Sequence, residues 1–207
     1  MSRPKGEITT TGFAVLGLLC LRPWSAYELT QQMARSMRFV WPRAESGIYR
    51  EPQRLVEAGY ASVVEVAAGP SRTKLVYAAT PKGRRAFRRW LATPSAPPQF
   101  ESESMLKFLF ADQGSIEDAL RSLDDLIAHG TGLMEFFREN TTAFANGNVA
   151  FPDRLHILAV RGRFIHDYAK ALTEWATWAH GIVESWPETG APAAHLGQQL
   201  IEQNADL

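Results

Sequence analysis

The segment Thr93-Pro94-Ser95-Ala96-Pro97-Pro98 constrains the fold more than any other feature of the chain, since three of its six residues are proline. Such a stretch sustains neither a helix nor a sheet ladder and acts as a stiff joint. It predicts two domains, residues 1–92 and 93–207. Charge divides at the same place. Residues 1–92 carry 15 Lys and Arg against 6 Asp and Glu, a net of +9, whereas residues 93–207 carry 7 against 16, a net of −9. A formally neutral chain is thus a basic half joined to an acidic one, a pattern that points to nucleic acid at the basic end.

The basic half reads first as helices. Ile8–Leu21 places Phe13, Leu16, Leu19 and Cys20 on one stripe, and Arg22-Pro23 ends it. Ser25-Ala26-Tyr27-Glu28 has the form of a capping box. It opens a second helix to about Met37 with Leu29, Met33 and Met37 inward, broken by Trp41-Pro42. Ser46 is the expected N-cap of a third helix, with Ile48, Leu55 and Val56 inward and Gly59 closing it. The periodicity then changes. Residues 60–66 and 73–78 are β-prone and flank Gly69-Pro70-Ser71, which predicts a two-stranded hairpin with Arg72 and Lys74 at its tip. Thr80-Pro81 restarts a helix. Its apolar side is Phe87, Trp90 and Leu91, and Lys82, Arg84, Arg85, Arg88 and Arg89 read as its solvated face.

Three helices, a hairpin and a fourth helix are the element order of a winged helix-turn-helix. In such a unit the third helix enters the major groove, about 12 Å wide, and the hairpin reaches flanking phosphate. Arg50, Gln53 and Arg54 share one face of the third helix, and Arg pairs with guanine as Gln does with adenine. The candidate DNA-binding residues are Tyr27, Arg43, Ser46, Tyr49, Arg50, Gln53, Arg54, Arg72 and Lys74.

These residues resemble the PadR family of bacterial transcriptional regulators. The likeness is carried by Val15-Leu16-Gly17-Leu18-Leu19 followed by Ala26-Tyr27-Glu28-Leu29, by Ser46-Gly47-Ile48-Tyr49, and by Arg54-Leu55-Val56-Glu57-Ala58-Gly59-Tyr60. Lys74-Leu75-Val76-Tyr77 and Thr80-Pro81-Lys82-Gly83-Arg84 complete the ordered set. The resemblance implies a dimeric DNA-binding regulator, usually a repressor, released by a small molecule. Two positions depart from the family pattern: Ala26 stands where Gly is common, and Arg50 follows Ile48-Tyr49 where Pro is common, with proline two residues later at Pro52. Inside a helix capped by Ser46, Pro52 removes a hydrogen bond. Either the helix begins nearer Glu51 or it bends.

In the acidic half, Met105, Leu106, Phe108, Leu109 and Phe110 form a short apolar helix, and Ser115 with Asp118 opens a long one. Ile116, Leu120, Leu123, Ile127, Gly130, Met134, Phe137 and Phe144 follow a 4–3 spacing broken at Thr141. Asn146-Gly147-Asn148 turns the chain, and Pro152 opens a last long helix. Its stripe is Leu158, Ile165, Tyr168, Leu172, Trp175, Ala179, Ile182 and Trp186, broken at Arg161. Leu133, Phe136, Trp178 and Val183 widen the two stripes. Such helices pack antiparallel or against a partner chain, which predicts a homodimer. The fold class is therefore mainly α with one small β-hairpin. Trp175 and Trp178 are candidates for binding a small aromatic effector. From Gly190 to Leu207 the chain reads either as one more short helix or as a disordered tail.

No catalytic pattern stands out. Gly130-Thr131-Gly132 is too short for a nucleotide fingerprint, and Cys20 is the only cysteine, read as a buried small hydrophobe. The five histidines show no paired metal-ligand spacing, and His166 and Asp167, as helix neighbours, are expected to point apart. No cofactor and no metal is expected. Phe13–Leu21 falls short of the roughly 20 residues that span a bilayer, and no cleavage site follows it, so a cytoplasmic protein without a membrane partner is expected. The function expected is a repressor that binds a pseudo-palindromic double-stranded operator. The competing reading is a winged helix that contacts acidic proteins instead.

Overall fold

In the computed structural model the first helix, α1 (Thr10–Leu21), begins two residues later than its apolar pattern, because Thr9 caps it by accepting from the Gly12 amide at 2.8 Å. The structure describes residues 7–42, 45–69, 72–190 and 193–205, with backbone alone at Glu45, Ser46 and Asn204. The chain divides into two compact units, Met1–Pro97 and Pro98–Leu207, at a break inside the proline-rich segment.

The first unit is built around α1. Val15, Leu16 and Leu19 are 0% exposed, and Gly12 and Leu18 are buried with them. The one-sided stripe expected for this helix is therefore incomplete. The helix is enclosed by α3, α4 and the sheet described below, and an enclosed helix is apolar all round. Phe13 and Cys20 lie at its half-buried margin, so Cys20 is less buried than expected. Burial raises the Cys20 thiol pKa, against the opposing charges of Arg84 and Arg88.

The capping box before α2 (Ala26–Ser36) is formed in full. The Ser25 hydroxyl accepts from the Glu28 amide at 3.3 Å, and a Glu28 carboxylate oxygen accepts from the Ser25 amide at 2.7 Å. Leu29 and Met33 are buried, while Met37 caps the end and is half-buried. Helix α3 (Glu45–Glu57) starts one residue before Ser46, which lies in the first turn and is not its N-cap. Gly59 ends the segment at φ 74°, letting the Tyr60 amide reach back to the Leu55 carbonyl at 2.8 Å, as a left-handed glycine closure does.

The hairpin expected from the sequence is part of a three-stranded antiparallel sheet. Strands β2 (Ala61–Ala67) and β3 (Thr73–Ala79) pair from Ala61↔Ala79 to Ala67↔Thr73, and β1 (Trp24–Ser25) pairs with Tyr77 and Val76 on the other side of β3. Two residues leave no period to read, so β1 was hidden in the sequence. Helix α4 (Pro81–Leu91) is capped by Thr80 and packs on α1 through Phe87 and Trp90, whose ring stacks on Phe13 at 4.8 Å. Leu91, expected on this apolar side, is instead exposed in the last turn beyond the stack.

The second unit begins with α5 (Glu103–Leu109), capped by Ser102. Met105 and Phe108 pack on the core, but Leu106, Leu109 and Phe110 are exposed, so the segment is apolar on both sides and buried on one. A short 3-10 turn leads to α6 (Ile116–Ala145), which starts with the Ser115–Asp118 capping box. A second such turn at Pro152–Arg154 leads to α7 (Leu155–Glu184), and α8 (Ala194–Asn204) occupies the stretch read as helix or tail. Helices α6 and α7 run antiparallel: His180 lies beside Asp124 and His166 beside Phe137. Their closest packing uses Ala119, Leu123, Leu126 and Leu133 against Ile165, Ala169, Ala176, Ala179 and Val183. The bulky stripes read from the sequence flank this line more than they form it, because small residues let the helices approach.

Gly83 is where α4 meets the end of the α3 segment, and a Cβ there would lie 2.0 Å from the Tyr60 carbonyl oxygen. Gly83→Ala should therefore cost about 1–3 kcal/mol by overpacking. Gly132→Ala, on α6 with nothing near its Cβ position, should gain up to about 1 kcal/mol from helix propensity. Urea midpoints check both, and equal midpoints for the two variants would contradict this packing.

Candidate nucleic-acid interface

Helix α3 has two unlike faces. Its inner face buries Ile48, Glu51, Pro52 and Leu55 against the rest of the unit. Its outer face presents Tyr49, Arg50, Gln53 and Arg54, all exposed, with Tyr49 at 60%. The structure thus brings together four of the candidate residues. Arg43 lies outside the described residues, and the Ser46 side chain is likewise not described.

Neither a late start nor a break accompanies Pro52; the helix runs as one element from Glu45 to Glu57. An interior proline costs a helix about 3 kcal/mol. Here the ring is among the most deeply buried side chains of the protein, and burial of the apolar inner face offsets part of that cost. Beside it sits a buried carboxylate. Glu51 accepts from the Arg54 guanidinium at 2.9 Å, with side-chain exposures of 7% and 61% for the acid and the base. Room for this carboxylate is made by α1: a Cβ at Gly12 would lie 2.9 Å from its second oxygen. The pair orients Arg54 from below while leaving its outer edge in solvent.

The wing is tied to the rest of the unit through Glu28. Lys74, opposite Val66 in β3 and so inside the strand rather than at its tip, donates to Glu28 at 3.3 Å and ties the wing to the start of α2. The Glu28 carboxyl pKa is lowered, first by the Ser25 amide, then by the Ser25 hydroxyl, with Lys74 adding to both. Arg72 is exposed, and its carbonyl accepts from the Ala68 amide at 2.7 Å, extending the ladder toward residues 70 and 71 outside the description. Thr73 donates to Glu65 across the hairpin. Tyr27, at 68%, is exposed in the first turn of α2.

Two of the basic residues read as a solvated face on α4 are structural. Lys82 donates to the Ala58 carbonyl at 2.8 Å, and Arg84 donates to the Cys20 carbonyl at 2.7 Å. Both carbonyls lie at helix C-termini, where a cation satisfies an orphan acceptor and complements the dipole. Sequence reasoning missed this, and no local spacing signals it, because Lys82 lies 24 residues beyond Ala58 and Arg84 lies 64 beyond Cys20. It also missed the Glu51–Arg54 pair, which sits in plain view at an i, i+3 spacing.

In the second unit, Trp175 is half-buried and meets Phe108 edge-on at 6.4 Å, while Trp178 is 48% exposed. His166 and Asp167 do not point apart: the His166 Nδ1 lies 3.1 Å from an Asp167 oxygen, and Arg163 Nε donates to both oxygens of that carboxylate at 2.8 Å. The arginine draws Asp167 along the exposed helix surface toward its neighbour. Among the described residues no helix is long and apolar enough to cross a membrane, and no cluster of His, Cys, Asp or Glu is placed to hold a metal ion.

An exposed basic and aromatic helix face, beside a wing pinned to the preceding helix, defines a winged helix-turn-helix joined to a helical unit. No protein-family model matches the chain. It is 28% identical over 108 residues to the negative transcriptional regulator PadR of Bacillus subtilis, covering 52% of this chain and 59% of that protein. It is 31% identical over 84 residues to the probable transcriptional regulator Rv1176c of Mycobacterium tuberculosis, covering 41% and 44%. The matches thus span about half the length of these relatives. Among solved structures, B. subtilis PadR in complex with operator DNA superposes with a TM-score of 0.71 at 21% identity, over 84% of this chain and 99% of that one. The same regulator in complex with p-coumaric acid gives 0.64 at 22%, over 86% and 100%. The fold is that of the PadR winged-helix regulators, and the sequence is similar to theirs.

Glu28 makes the wing attachment acid-sensitive. Because its folded pKa is lowered, the stability it supplies is complete above the ordinary glutamate range and is lost as pH falls through the lowered value. Between pH 7 and pH 3 the unmodified protein should therefore lose more stability than Glu28→Gln does in urea titrations; equal losses would contradict the assignment.

Proposed function

We propose that this chain is a dimeric, cytoplasmic DNA-binding transcriptional regulator that represses its target and is released by a small-molecule effector. What carries the proposal is the division of α3 into a buried inner face and an outer face of Tyr49, Arg50, Gln53 and Arg54. In this reading Arg50, Gln53 and Arg54 meet base edges in the major groove. Tyr27, Tyr49, Arg72 and Lys74 meet sugar and phosphate, and Arg43 and Ser46 keep the DNA-binding role expected of them from the sequence. The related PadR of B. subtilis is a negative regulator by name and has been solved with operator DNA and with p-coumaric acid, which supports repression and an effector. Trp175 and Trp178 remain the aromatic effector candidates named from the sequence.

Dimerisation is supported by the outer surface of α7. Ile157, Val160, Phe164 and Tyr168 recur every three or four residues and are exposed, Val160 at 76%, and Trp178 continues the apolar surface further along. A contiguous apolar strip of this kind marks an interaction surface. A two-fold pair of such chains sets two recognition helices about 34–36 Å apart, one turn of DNA.

An electrophoretic shift with duplex DNA from the region upstream of the protein's own gene tests the proposal. Affinity should fall by roughly a thousandfold or more between 50 and 200 mM salt if six or more phosphates are contacted. Lys74→Ala should weaken all sequences about evenly, whereas Arg50→Ala with Arg54→Ala should remove specific binding. A shift that ignores salt would contradict the reading. By light scattering the protein should have twice the chain mass, and Phe164→Glu should give a monomer; a monomeric parent protein would overturn the dimer.

A further inference from the structure

Arg50, Gln53 and Arg54 share the outer face of α3, but the structure holds them unequally. Among the described residues Arg50 has no hydrogen-bond or ion-pair partner, and Gln53 reaches Glu57 only at 3.5 Å. Arg54 is held by an ion pair, its Nη1 donating to Glu51 Oε1 at 2.9 Å. The acid has little freedom of its own. Glu51 is 5% exposed, and its second oxygen lies against the first turn of α1, 2.9 Å from where a Cβ on Gly12 would stand. A carboxylate is favoured at a helix N-terminus, where the free amides carry positive partial charge. Through Glu51, Arg54 is therefore registered to the core helix of the unit, while its own side chain stays largely in solvent.

One donor on Nη1 is engaged by Glu51. Nε and Nη2 remain, and together they present the edge of the guanidinium that matches the O6 and N7 acceptors of guanine. A free arginine facing the wrong base swings to another acceptor or to a phosphate, so a mismatch costs it little. A held arginine cannot swing, and the wrong base leaves its desolvated donors unmet. We infer that Glu51 is a specificity-determining positioning residue. By fixing Arg54 it makes one guanine in each half-site the most stringently read base, whereas the base pair facing Arg50 tolerates change. Glu51, on the inner face of α3, acts through Arg54 and is not itself offered to DNA. This role rests on the regulator reading above, in which α3 lies in the major groove.

Two measurements on the full chain test it, one without DNA and one with it. In nitrogen NMR of the free protein, Arg54 should show separate Nη signals, its rotation arrested by Glu51, and Glu51→Leu should merge them. Duplexes selected by the unmodified protein, and their single-base variants, then report the reading. The Arg54 position is the one whose preference Arg54→Lys removes, and replacing its guanine should weaken the unmodified protein about tenfold or more. In Glu51→Leu that penalty should shrink to about threefold or less. Random-sequence DNA should still bind this variant within about twofold and with the same salt dependence, because no cation is lost. Should Glu51→Leu fail to fold, Glu51→Gln replaces the charge-assisted bond by a neutral one and should cut the penalty about twofold or more. In an Arg54→Lys background neither change at Glu51 should alter the preference further. An undiminished penalty, an even weakening on every sequence as from a merely structural residue, or merged Arg54 signals in the unmodified protein would overturn the inference. Failure of the regulator reading looks different. Arg54 would be arrested in the free protein while no base substitution changed affinity, which sinks both, whereas a guanine preference that survives Glu51→Leu sinks this role alone.

Discussion

Enclosure of α1 is the constraint on which the first unit depends. Val15, Leu16 and Leu19 are shut off from solvent, each contributing about 1.5–3 kcal/mol of burial, and α3, α4 and β3 all rest on this helix. The orientation of α3 follows. Ile48, Pro52 and Leu55 must face inward, and with a period of 3.6 residues that leaves Tyr49, Arg50, Gln53 and Arg54 outward. The outer face is thus a consequence of the core, and its side chains stand on a rigid support. Gly12 extends the same logic, since the room it leaves on α1 admits the Glu51 carboxylate that steers Arg54.

The second unit is built on one helical hairpin. Small residues such as Ala119, Ala169 and Ala176 bring α6 and α7 together, so the bulky side chains are displaced to the flanks. Some of them, on α7, form the outward strip proposed to join two chains. Others, near the turn, wall a cavity where Thr141 and Arg161 interrupt the pattern.

Local signals were legible in the sequence and close-range tertiary ones were not. The caps at Ser25, Thr80 and Ser115 are each written within four residues, because a hydroxyl and an amide that near in sequence need no other element to meet. The outer face of α3 was legible for the same reason, as a spacing on one helix. Strand β1 was invisible, since Trp24-Ser25 becomes a strand only when Tyr77 and Val76 lie beside it. The late start that Pro52 suggested is absent: the helix runs as one element from Glu45 to Glu57 with the proline ring buried. Lys82 and Arg84 looked like solvated charge, and only the folded chain shows the helix ends they cap. At α6 and α7 the pattern gave the right pair of helices but the wrong centre line, because apolar periodicity weights large side chains and close approach favours small ones.

The central claim is that a two-fold pair of α3 outer faces reads DNA sequence. Selection of bound duplexes from a pool of random DNA tests it most directly. The account predicts enrichment of an inverted repeat whose half-site centres lie one helical turn, about 10 base pairs, apart. The Arg50→Ala, Arg54→Ala double variant should lose preference at matched positions in both halves. Recovery of unenriched DNA by the unmodified protein, or of the same motif by the double variant, would contradict it.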